Sequence, residues 1–349
     1  MNHPVDPLGY SYSELRPLIL AAARARISAL VLGHPGLGKS ALAHDVAAEL
    51  GLPVVDLRLA QRDPSELAGV YVPDRTGGRL DLLAPGWVRR ACQEPVLVFL
   101  DEINAAVTRL HQAAAYQIVL ERRVGDFVFH PDTRILAAGN LEEDRAIVTR
   151  LSSALGNRFA WFRMRVDASD WLAWAHGAGI DPSVTAYVQR RGAEVLYQPG
   201  EGAFPSPRSW AMASALMTEG RPDDQLRLAA ACIGEAAAQA YVSWLRLRAK
   251  VRPRQIVADG QIPSLLQTEP SMAYAIVHTV AEWLTDGRDV PDAWLPNVVR
   301  FVQADGLDAE HAILFLRTLS RQPRLVHRLR GMESFRALAA RWVDLRMAA

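Results

Sequence analysis

The sequence has almost no lysine and almost no cysteine. Only Lys39 and Lys250 are lysines, and arginine supplies every other positive side chain. Most exposed cationic positions accept either residue, so a position that keeps lysine in such a chain indicates a need for a compact ammonium group. The two cysteines, Cys92 and Cys232, are far apart in segments with helical spacing, which excludes a disulfide framework and a cysteine zinc site.

Long apolar runs and a net charge are also absent. No run reaches the roughly 18 apolar residues of a membrane span, and the first residues, MNHPVDPLGYSY, lack a secretion-signal pattern. The formal net charge is +1, so there is no overall attraction to nucleic acid or to anionic membranes. The histidines are scattered, without an i, i+4 pair beside an acid, which argues against a histidine metal site. We therefore predict a cytoplasmic protein without membrane insertion.

Alternating strands and helices in the first half of the chain predict an α/β fold. Five short segments are mostly apolar, as parallel strands covered by helices on both faces are: residues 28–33, 52–59, 95–102, 133–140 and 159–166. Beyond residue 166 the strand pattern stops and helical periodicity takes over. We predict an α/β core over residues 1–166, a helical domain over 167–250 and a helical extension over 251–349.

A glycine-rich loop joins the first predicted strand to a helix. Residues 33–40 read GHPGLGKS and fit the phosphate-binding pattern G-x-x-x-x-G-K-[ST] in the strand–helix context that it requires. Glycines let successive backbone N–H groups turn toward one centre at a helix amino terminus, where an anion binds. Lys39 is expected to bridge the β- and γ-phosphates of ATP, and Ser40 to ligate Mg²⁺. The residues predicted to contact the nucleotide are Gly33, His34, Pro35, Gly36, Leu37, Gly38, Lys39, Ser40 and Ala41.

Polar side chains end two further predicted strands. Asp101 and Glu102 end the strand LVFLDE, at the edge where ligands lie in open α/β sheets. Asp101 is expected to hold Mg²⁺, and Glu102 to orient and deprotonate the attacking water. Asn140 ends the strand TRILAAGN and is expected to contact the γ-phosphate or the water, since its strand should lie beside that of Asp101. The competing interpretations are helix capping for the acids and a simple turn at Asn140.

The order of these motifs resembles that of the AAA+ ATPases, and within them the MoxR-like group of the helix-2-insert branch. The phosphate-binding loop, the DE strand, the AAGN strand, LGNRF (155–159) and PSPRSW (205–210) follow one another in that order. By this resemblance, segment 61–87 is the insertion in helix 2 and a predicted hairpin at 122–130 is the insertion before the sensor 1 strand. The resemblance implies an AAA+ P-loop core followed by an α-helical lid and a helical C-terminal extension.

The same resemblance implies roles for individual residues. Asn140 matches sensor 1, Arg158 matches the arginine finger that reaches the ATP of a neighbouring subunit, and Arg208 matches sensor 2 on the lid. Arg145 and Arg150 are candidates for a second residue acting in trans. The charge that develops on a transferred phosphoryl group calls for cations beyond the loop lysine and Mg²⁺.

For the whole protein, the resemblance implies a ring-forming ATPase. The expected assembly is a homo-oligomer, a hexamer, that remodels a protein partner, in relatives often one with a von Willebrand factor A domain. Two alternatives stay open: a nucleic-acid motor, and a scaffold in which ATP holds the ring together. Hairpin 122–130 argues weakly for nucleic acid, and the balanced charge argues against it. The arginine run within 246–254 fits a solvated helix face or a subunit interface better than a nucleic-acid contact. The presence of both Asp101 and Glu102 favours hydrolysis over a scaffold.

Overall fold

Two compact units make up the protein. The first comprises residues 1–178 and 193–212, and the second comprises residues 179–192 and 213–349. The computed structural model describes residues 9–73, 77–105, 108–141, 151–264, 266, 272–286, 289–320 and 322–338. The three-part division into 1–166, 167–250 and 251–349 stays a prediction.

A five-stranded parallel sheet forms the centre of the first unit. Its strands are β1 (Ala29–Gly33), β2 (Val54–Arg58), β5 (Leu97–Asp101), β8 (Arg134–Gly139) and β9 (Ala160–Met164). They are ordered β2-β5-β8-β1-β9, and every neighbouring pair is parallel. We expected the strand that ends at Asn140 to lie beside the strand that ends at Asp101. This is confirmed, because β8 pairs with β5.

Both faces of the sheet are buried. Successive residues of a strand point to opposite faces. In β5, Leu97 and Phe99 enter one apolar core and Val98 and Leu100 enter the other. Continuous apolar strands are what this double burial requires, and the expected α/β core with a covered parallel sheet is confirmed.

Helices of the first unit cover the sheet and follow its strands. Those outside the insertions are α1 (Tyr12–Arg24), α2 (Lys39–Leu50), α5 (Arg109–Tyr116), α6 (Ser153–Gly156), α7 (Ala168–Gly177), α9 (Ala193–Leu196) and the beginning of α10 (Pro207–Glu219). Helix α1 begins with a capping box, in which Ser11 accepts from the N–H of Glu14 and the Glu14 carboxylate accepts from the N–H of Ser11.

Two insertions extend the first unit beyond a minimal sheet. The first contains α3 (Pro64–Ala68), the strands β3 (Val70–Pro73) and β4 (Leu80–Leu83), and α4 (Gly86–Gln93); the second is the hairpin of β6 (Arg123–Val124) and β7 (Phe127–Val128). The hairpin expected at 122–130 is thus present. Helix α4 contains Cys92, whose segment has the expected helical spacing, but its start at Gly86 is not anticipated by the sequence. Helix α5 passes into a π-helix (Gln117–Glu121), which ends at Arg122 with φ of 51°.

The second unit contains helices and no strand among its described residues, as the sequence predicts. Its helices are α8 (Pro182–Arg191), the remainder of α10, α11 (Gln225–Ile233), α12 (Glu235–Arg248), α13 (Pro253–Asp259), α14 (Ala273–Thr285), α15 (Leu295–Val302), α16 (Ala309–Leu319) and α17 (Pro323–Arg330). A partly buried ion pair joins Arg248 of α12 to Glu282 of α14. Among the described helices, none is long and apolar enough to cross a membrane.

Candidate active site

The glycine-rich loop connects β1 to α2 at the carboxyl edge of the sheet. Gly36 and Gly38 have φ of 79° and 95°, a conformation that side chains disfavour, so glycine is needed at both positions. A side chain at Gly36 would also meet Ser206 Oγ at 3.0 Å. Helix α2 begins at Lys39, so the loop delivers free N–H groups to a helix amino terminus. This is the geometry of an anion site.

The ammonium group of Lys39 ties this loop to the end of β8. Its Nζ donates to the carbonyl oxygens of Gly33 (2.6 Å) and His34 (2.9 Å) and to Oδ1 of Asn140 (3.1 Å). Lys39 and Asn140, which the sequence predicts to share a site, therefore lie in direct contact.

A second contact joins the loop to the end of β5. Ser40 Oγ donates to Asp101 Oδ2 at 2.9 Å, and the other carboxylate oxygen accepts from the N–H of Glu102 at 2.9 Å. Asp101 is buried, and these two donors satisfy the hydrogen-bonding needs of its carboxylate. A hydroxyl and a carboxylate side by side form a hard oxygen donor set of the kind that Mg²⁺ prefers, together with phosphate oxygens and water. No group of three His, Cys, Asp or Glu side chains that could hold a metal occurs among the residues that the structure describes.

Glu102 follows Asp101 in an unusual backbone conformation. Its φ is 55°, in the left-handed region that residues other than glycine rarely adopt. Such conformations cost about 1–3 kcal/mol and are found where the surrounding structure enforces them, often at active sites. The Glu102 side chain is half-buried and its carboxylate has no hydrogen-bond or ion-pair partner among the described residues. It is therefore available to accept a proton.

Asn104 is a site residue that the sequence analysis missed. Its Nδ2 donates to the carbonyl of Asn140 (2.8 Å), and its Oδ1 accepts from the N–H of Asn140 (3.0 Å). Gly139 must be glycine here, because a Cβ would lie 2.6 Å from Asn104 Oδ1. The buried side-chain amide of Asn104 thus fixes the position of the Asn140 backbone. The sequence clue was an amide three residues after Asp101, with a glycine directly before Asn140.

A cavity of about 770 Å³ opens beside the glycine-rich loop. Its wall combines the loop and the first turns of α1, α2 and α10 with one side of α7, all within the first unit. Most of the wall is apolar, including Met164, Trp171 and Trp174. Tyr12 donates to Asp45 Oδ2 at 2.6 Å on this wall, and burial together with that hydrogen bond raises the pKa of the Tyr12 phenol. The volume suits a small organic ligand.

Residues that precede α10 pack onto the loop. The imidazole of His34 stacks on Tyr197, with ring centroids 4.6 Å apart and 25° between the planes. Tyr197 meets Phe204 edge to face, and Ser206 lies against Gly36. The segment from α9 to α10 therefore packs directly against the loop.

Of the predicted arginines, Arg208 lies beside the glycine-rich loop, because a side chain on Gly36 would meet its Cβ at 3.5 Å. Arg208, in the first turn of α10, lines the cavity and is exposed. Arg158 follows α6, is exposed, and has no hydrogen-bond or ion-pair partner for its side chain within the described part of the chain. Arg145 and Arg150 lie outside the described residues.

Comparison with known proteins identifies the type of domain. Residues 29–160 match the family model described as ATPase family associated with various cellular activities (AAA). No curated protein matches the chain significantly. Among solved structures, NtrX from Brucella abortus in complex with ADP is similar at a TM-score of 0.43 and 16% identity, covering 88% of this chain and 68% of that one. A RuvB mutant from Thermotoga maritima is similar at a TM-score of 0.38 and 16% identity, covering 83% and 86%.

The matched span coincides with the parallel sheet and its loop. It begins at the first residue of β1 and ends at the first residue of β9, so it contains Lys39, Asp101 and Asn140. The first unit has the AAA+ P-loop fold, with a helical region after it, and the expected fold class is confirmed.

Proposed function

We propose that this protein hydrolyses ATP to ADP and phosphate and uses the energy to remodel a protein partner. The proposed assembly is a homo-oligomeric ring, a hexamer, with each active site between two subunits. We further propose that the chain belongs to the MoxR-like group and works in the cytoplasm. A partner with a von Willebrand factor A domain is the expected client or co-factor protein.

The observation that carries this proposal is the convergence of three distant segments on one point. Lys39 contacts Asn140, and the next residue, Ser40, contacts Asp101. The loop, the end of β5 and the end of β8 meet there, with an anion-binding helix terminus beside them. This arrangement brings together a lysine, a hydroxyl, a buried carboxylate and an amide, which suit the phosphates of a nucleotide. Helix capping or a simple turn would not require these four groups to meet.

Each side chain has a distinct task in this mechanism. The loop N–H groups and Lys39 bind and orient the phosphates, and Asn140 orients the γ-phosphate or the water. Ser40 and Asp101 would hold Mg²⁺, which would supply positive charge against the phosphate oxygens. Glu102, whose carboxylate is unengaged, positions the attacking water in line with the leaving group and accepts its proton. The cavity beside the loop would receive the base and ribose between Tyr12 and Trp174.

The two arginines complete the site from the rim. Arg208 is placed on the cavity wall, where a guanidinium can pair with a phosphate from the same subunit. Arg158, exposed and unpaired among the described residues, is proposed to reach the phosphates of the adjacent subunit. If the neighbouring subunit supplies this cation, ATP turnover depends on assembly, and the proposed ring would provide the neighbour.

A nucleic-acid motor receives less support from the second insertion. Arg122 donates to the carbonyls of Thr133 and Arg26, and Arg123 pairs with Glu121 at 2.7 Å. Both guanidinium groups are therefore engaged within the chain and offer little to a phosphate backbone.

Two substitutions test the proposal. Lys39→Ala should weaken ATP binding at least tenfold and abolish phosphate release, because the loop loses its cation. Glu102→Gln should keep ATP binding within a few-fold of the wild type and lower kcat by about 10² or more, because the water loses its base. Binding is measured with a fluorescent ATP analogue, and turnover by phosphate release. Normal turnover in either variant would refute the assignment.

A further inference from the structure

The hairpin of β3 and β4 presents apolar side chains on both of its faces. Val70 pairs with Leu83 in the register, and their side chains are 49% and 53% exposed on one face. On the other face, Tyr71 and Leu80 are 63% and 65% exposed. Isolated exposed apolar side chains are ordinary, but five large ones on eight residues, with Val72 as the fifth, indicate an interaction surface.

The backbone of this hairpin is also open. β3 and β4 form a sheet of two strands, and no other described strand pairs with either of them. Their outer edges therefore carry unpaired N–H and C=O groups that can bond to an added strand. Pro73 removes one donor from β3, so β4 is the better edge for such pairing.

One inward side chain anchors the hairpin. A Cβ on Gly125 would lie 2.2 Å from Leu82 Cδ2, and one on Gly69 would lie 2.9 Å from Leu82 Cδ1. Leu82 thus occupies space that two glycines leave free, and it rests on the turn of the β6–β7 hairpin. This contact holds the insertion in place while its other apolar side chains stay exposed.

The charges of the hairpin cancel. Arg79 Nε lies 3.2 Å from Asp81 Oδ1, and these two are its charged residues within the described part. A polyanion needs unpaired cations to bind, so nucleic acid fits this surface poorly. Apolar side chains beside open strand edges fit an extended polypeptide, which supplies both backbone groups and alternating side chains.

The dimensions favour a chain segment over a second copy of the protein. Two four-residue strands cover about 13 Å by 10 Å, a footprint of about 130 Å² per face. A stable interface between folded partners buries about 800 Å² on each side. A short extended segment matches the size of the hairpin, and a contact this small is released easily.

We propose that the β3–β4 hairpin receives an extended, apolar segment of the protein partner by adding it as a strand to β4. This inference rests on the proposed remodelling function, for which it names the contact surface and the chemistry that the partner presents.

The test uses a fluorescein-labelled peptide of alternating valine and threonine with one lysine and one glutamate at its ends. A second peptide carries proline at the central valine, which removes a backbone donor and breaks strand pairing. Peptide binding to the full chain is measured by anisotropy without nucleotide. The test variant combines Tyr71→Ser with Leu80→Ser. The control is Ile27→Ser, whose side chain is 52% exposed before β1.

We expect the wild type and Ile27→Ser to bind the first peptide equally, and the double variant about tenfold more weakly. If the double variant binds the first peptide as tightly as the wild type does, the β3–β4 hairpin is not the binding surface. If the wild type binds the proline peptide as tightly as the first peptide, strand addition is excluded. A smaller oligomer with unchanged peptide affinity would assign the hairpin to contacts between copies and so overturn the proposal. Basal ATP hydrolysis, recorded in parallel, separates the two hypotheses: its absence from the wild type refutes the ATPase and leaves the peptide result standing.

Discussion

At the scale of single residues, the site depends on side chains that bridge distant parts of the chain. Lys39 and Asn140 are 101 positions apart and Ser40 and Asp101 are 61 apart, yet each pair is joined by one hydrogen bond. Because both bonds start from the first turn of α2, a shift of that turn would move both strand ends together. Binding at the loop can thus be communicated to the acids and to the amide.

Asn104 should be required for turnover although it lies outside the predicted motifs. Asn104→Ala removes both bonds to the backbone of Asn140 and leaves buried groups unsatisfied, which costs about 1–3 kcal/mol each. We expect kcat to fall by about tenfold or more, with the Kd for ATP within a few-fold of wild type, since Lys39 and its loop are unchanged. Asn104→Asp keeps the acceptor and loses the donor, so its kcat should be intermediate. Phosphate release and nucleotide titration measure both, and unaltered kcat in Asn104→Ala would contradict the role.

Residues within contiguous motifs could be predicted from the sequence, and residues that act through folded geometry could not. Lys39, Ser40 and Asp101 are recognisable because the loop and the strand end are local patterns. Asn104 acts on a backbone 36 positions away, and no local pattern indicates that partner. The left-handed conformation of Glu102 is likewise set by the packing around it. The roles of Arg158 and Arg208 stay predictions.

At the scale of elements, the two insertions support each other. Leu82 of β4 lies against Gly125 in the turn between β6 and β7. In the same region, the Trp87 indole donates to the carbonyl of Glu66 at 2.9 Å and meets Phe129 edge to face. Each hairpin is too short to be stable alone, so these contacts replace a core of their own.

Gly125→Ala should loosen the first insertion. The change adds a side chain where φ is 55° and where Leu82 already fills the space, and the backbone conformation alone costs about 1–2 kcal/mol. Gly78→Ala is a matched control, because φ is 62° there and no atom lies within 4 Å of its added Cβ. Hydrogen exchange at the β3 and β4 amides should accelerate in Gly125→Ala well beyond the change in Gly78→Ala. Equal exchange in the two variants would show that the Leu82 contact does not hold the hairpin.

Elements with strong periodicity could be predicted, whereas the start of a helix next to turn-rich sequence could not. All five strands of the central sheet follow from apolar runs. Helix α4 follows Pro85 without a side-chain cap and lies beside the Pro- and Gly-rich insertion, so the sequence offers no clear start. The π-helix at the end of α5 has no sequence signature, because it arises where the chain must turn into β6.

At the scale of the whole molecule, complementation between subunits tests the proposed ring. Arg158→Ala and Lys39→Ala should each abolish turnover, and Arg158→Ala should bind ATP within a few-fold of wild type. When the two inactive proteins are mixed in equal amounts, about a quarter of the interfaces would combine an intact Lys39 with an intact Arg158 from the neighbour. Activity should therefore reappear on mixing. Arg89→Ala, another exposed arginine, is the control and should remain active. No recovery, or full activity of Arg158→Ala, would exclude a trans site.

The stability of the protein should decline at alkaline pH because of buried phenols. Burial is the main cause that raises the pKa of Tyr12, Tyr241 and Tyr274 above the ordinary value of about 10. Their stabilising contribution is complete below pH ~10 and is lost as the pH rises toward the folded-state pKa values, because the unfolded chain then releases protons first. Between pH 9 and about 11.5, the urea concentration at the midpoint of unfolding should fall less in Tyr241→Phe than in the wild type. Tyr71→Phe, at an exposed position, should lose as much as the wild type; equal losses in all three proteins would exclude Tyr241 as a source.

The scarcity of lysine also makes the protein unusually simple to modify with amine-directed reagents. Acylating dyes and tethers react with primary amines and leave guanidinium groups untouched, so the arginine-rich surface is inert to them. Of the two lysine side chains, Lys39 donates to three oxygen atoms, whereas Lys250 is exposed between α12 and α13. A fluorophore would therefore attach to the helical unit at Lys250 and leave the phosphate-binding loop unlabelled. Apart from the α-amino group, which reacts as well, the native chain thus accepts an optical reporter at Lys250 without any introduced cysteine.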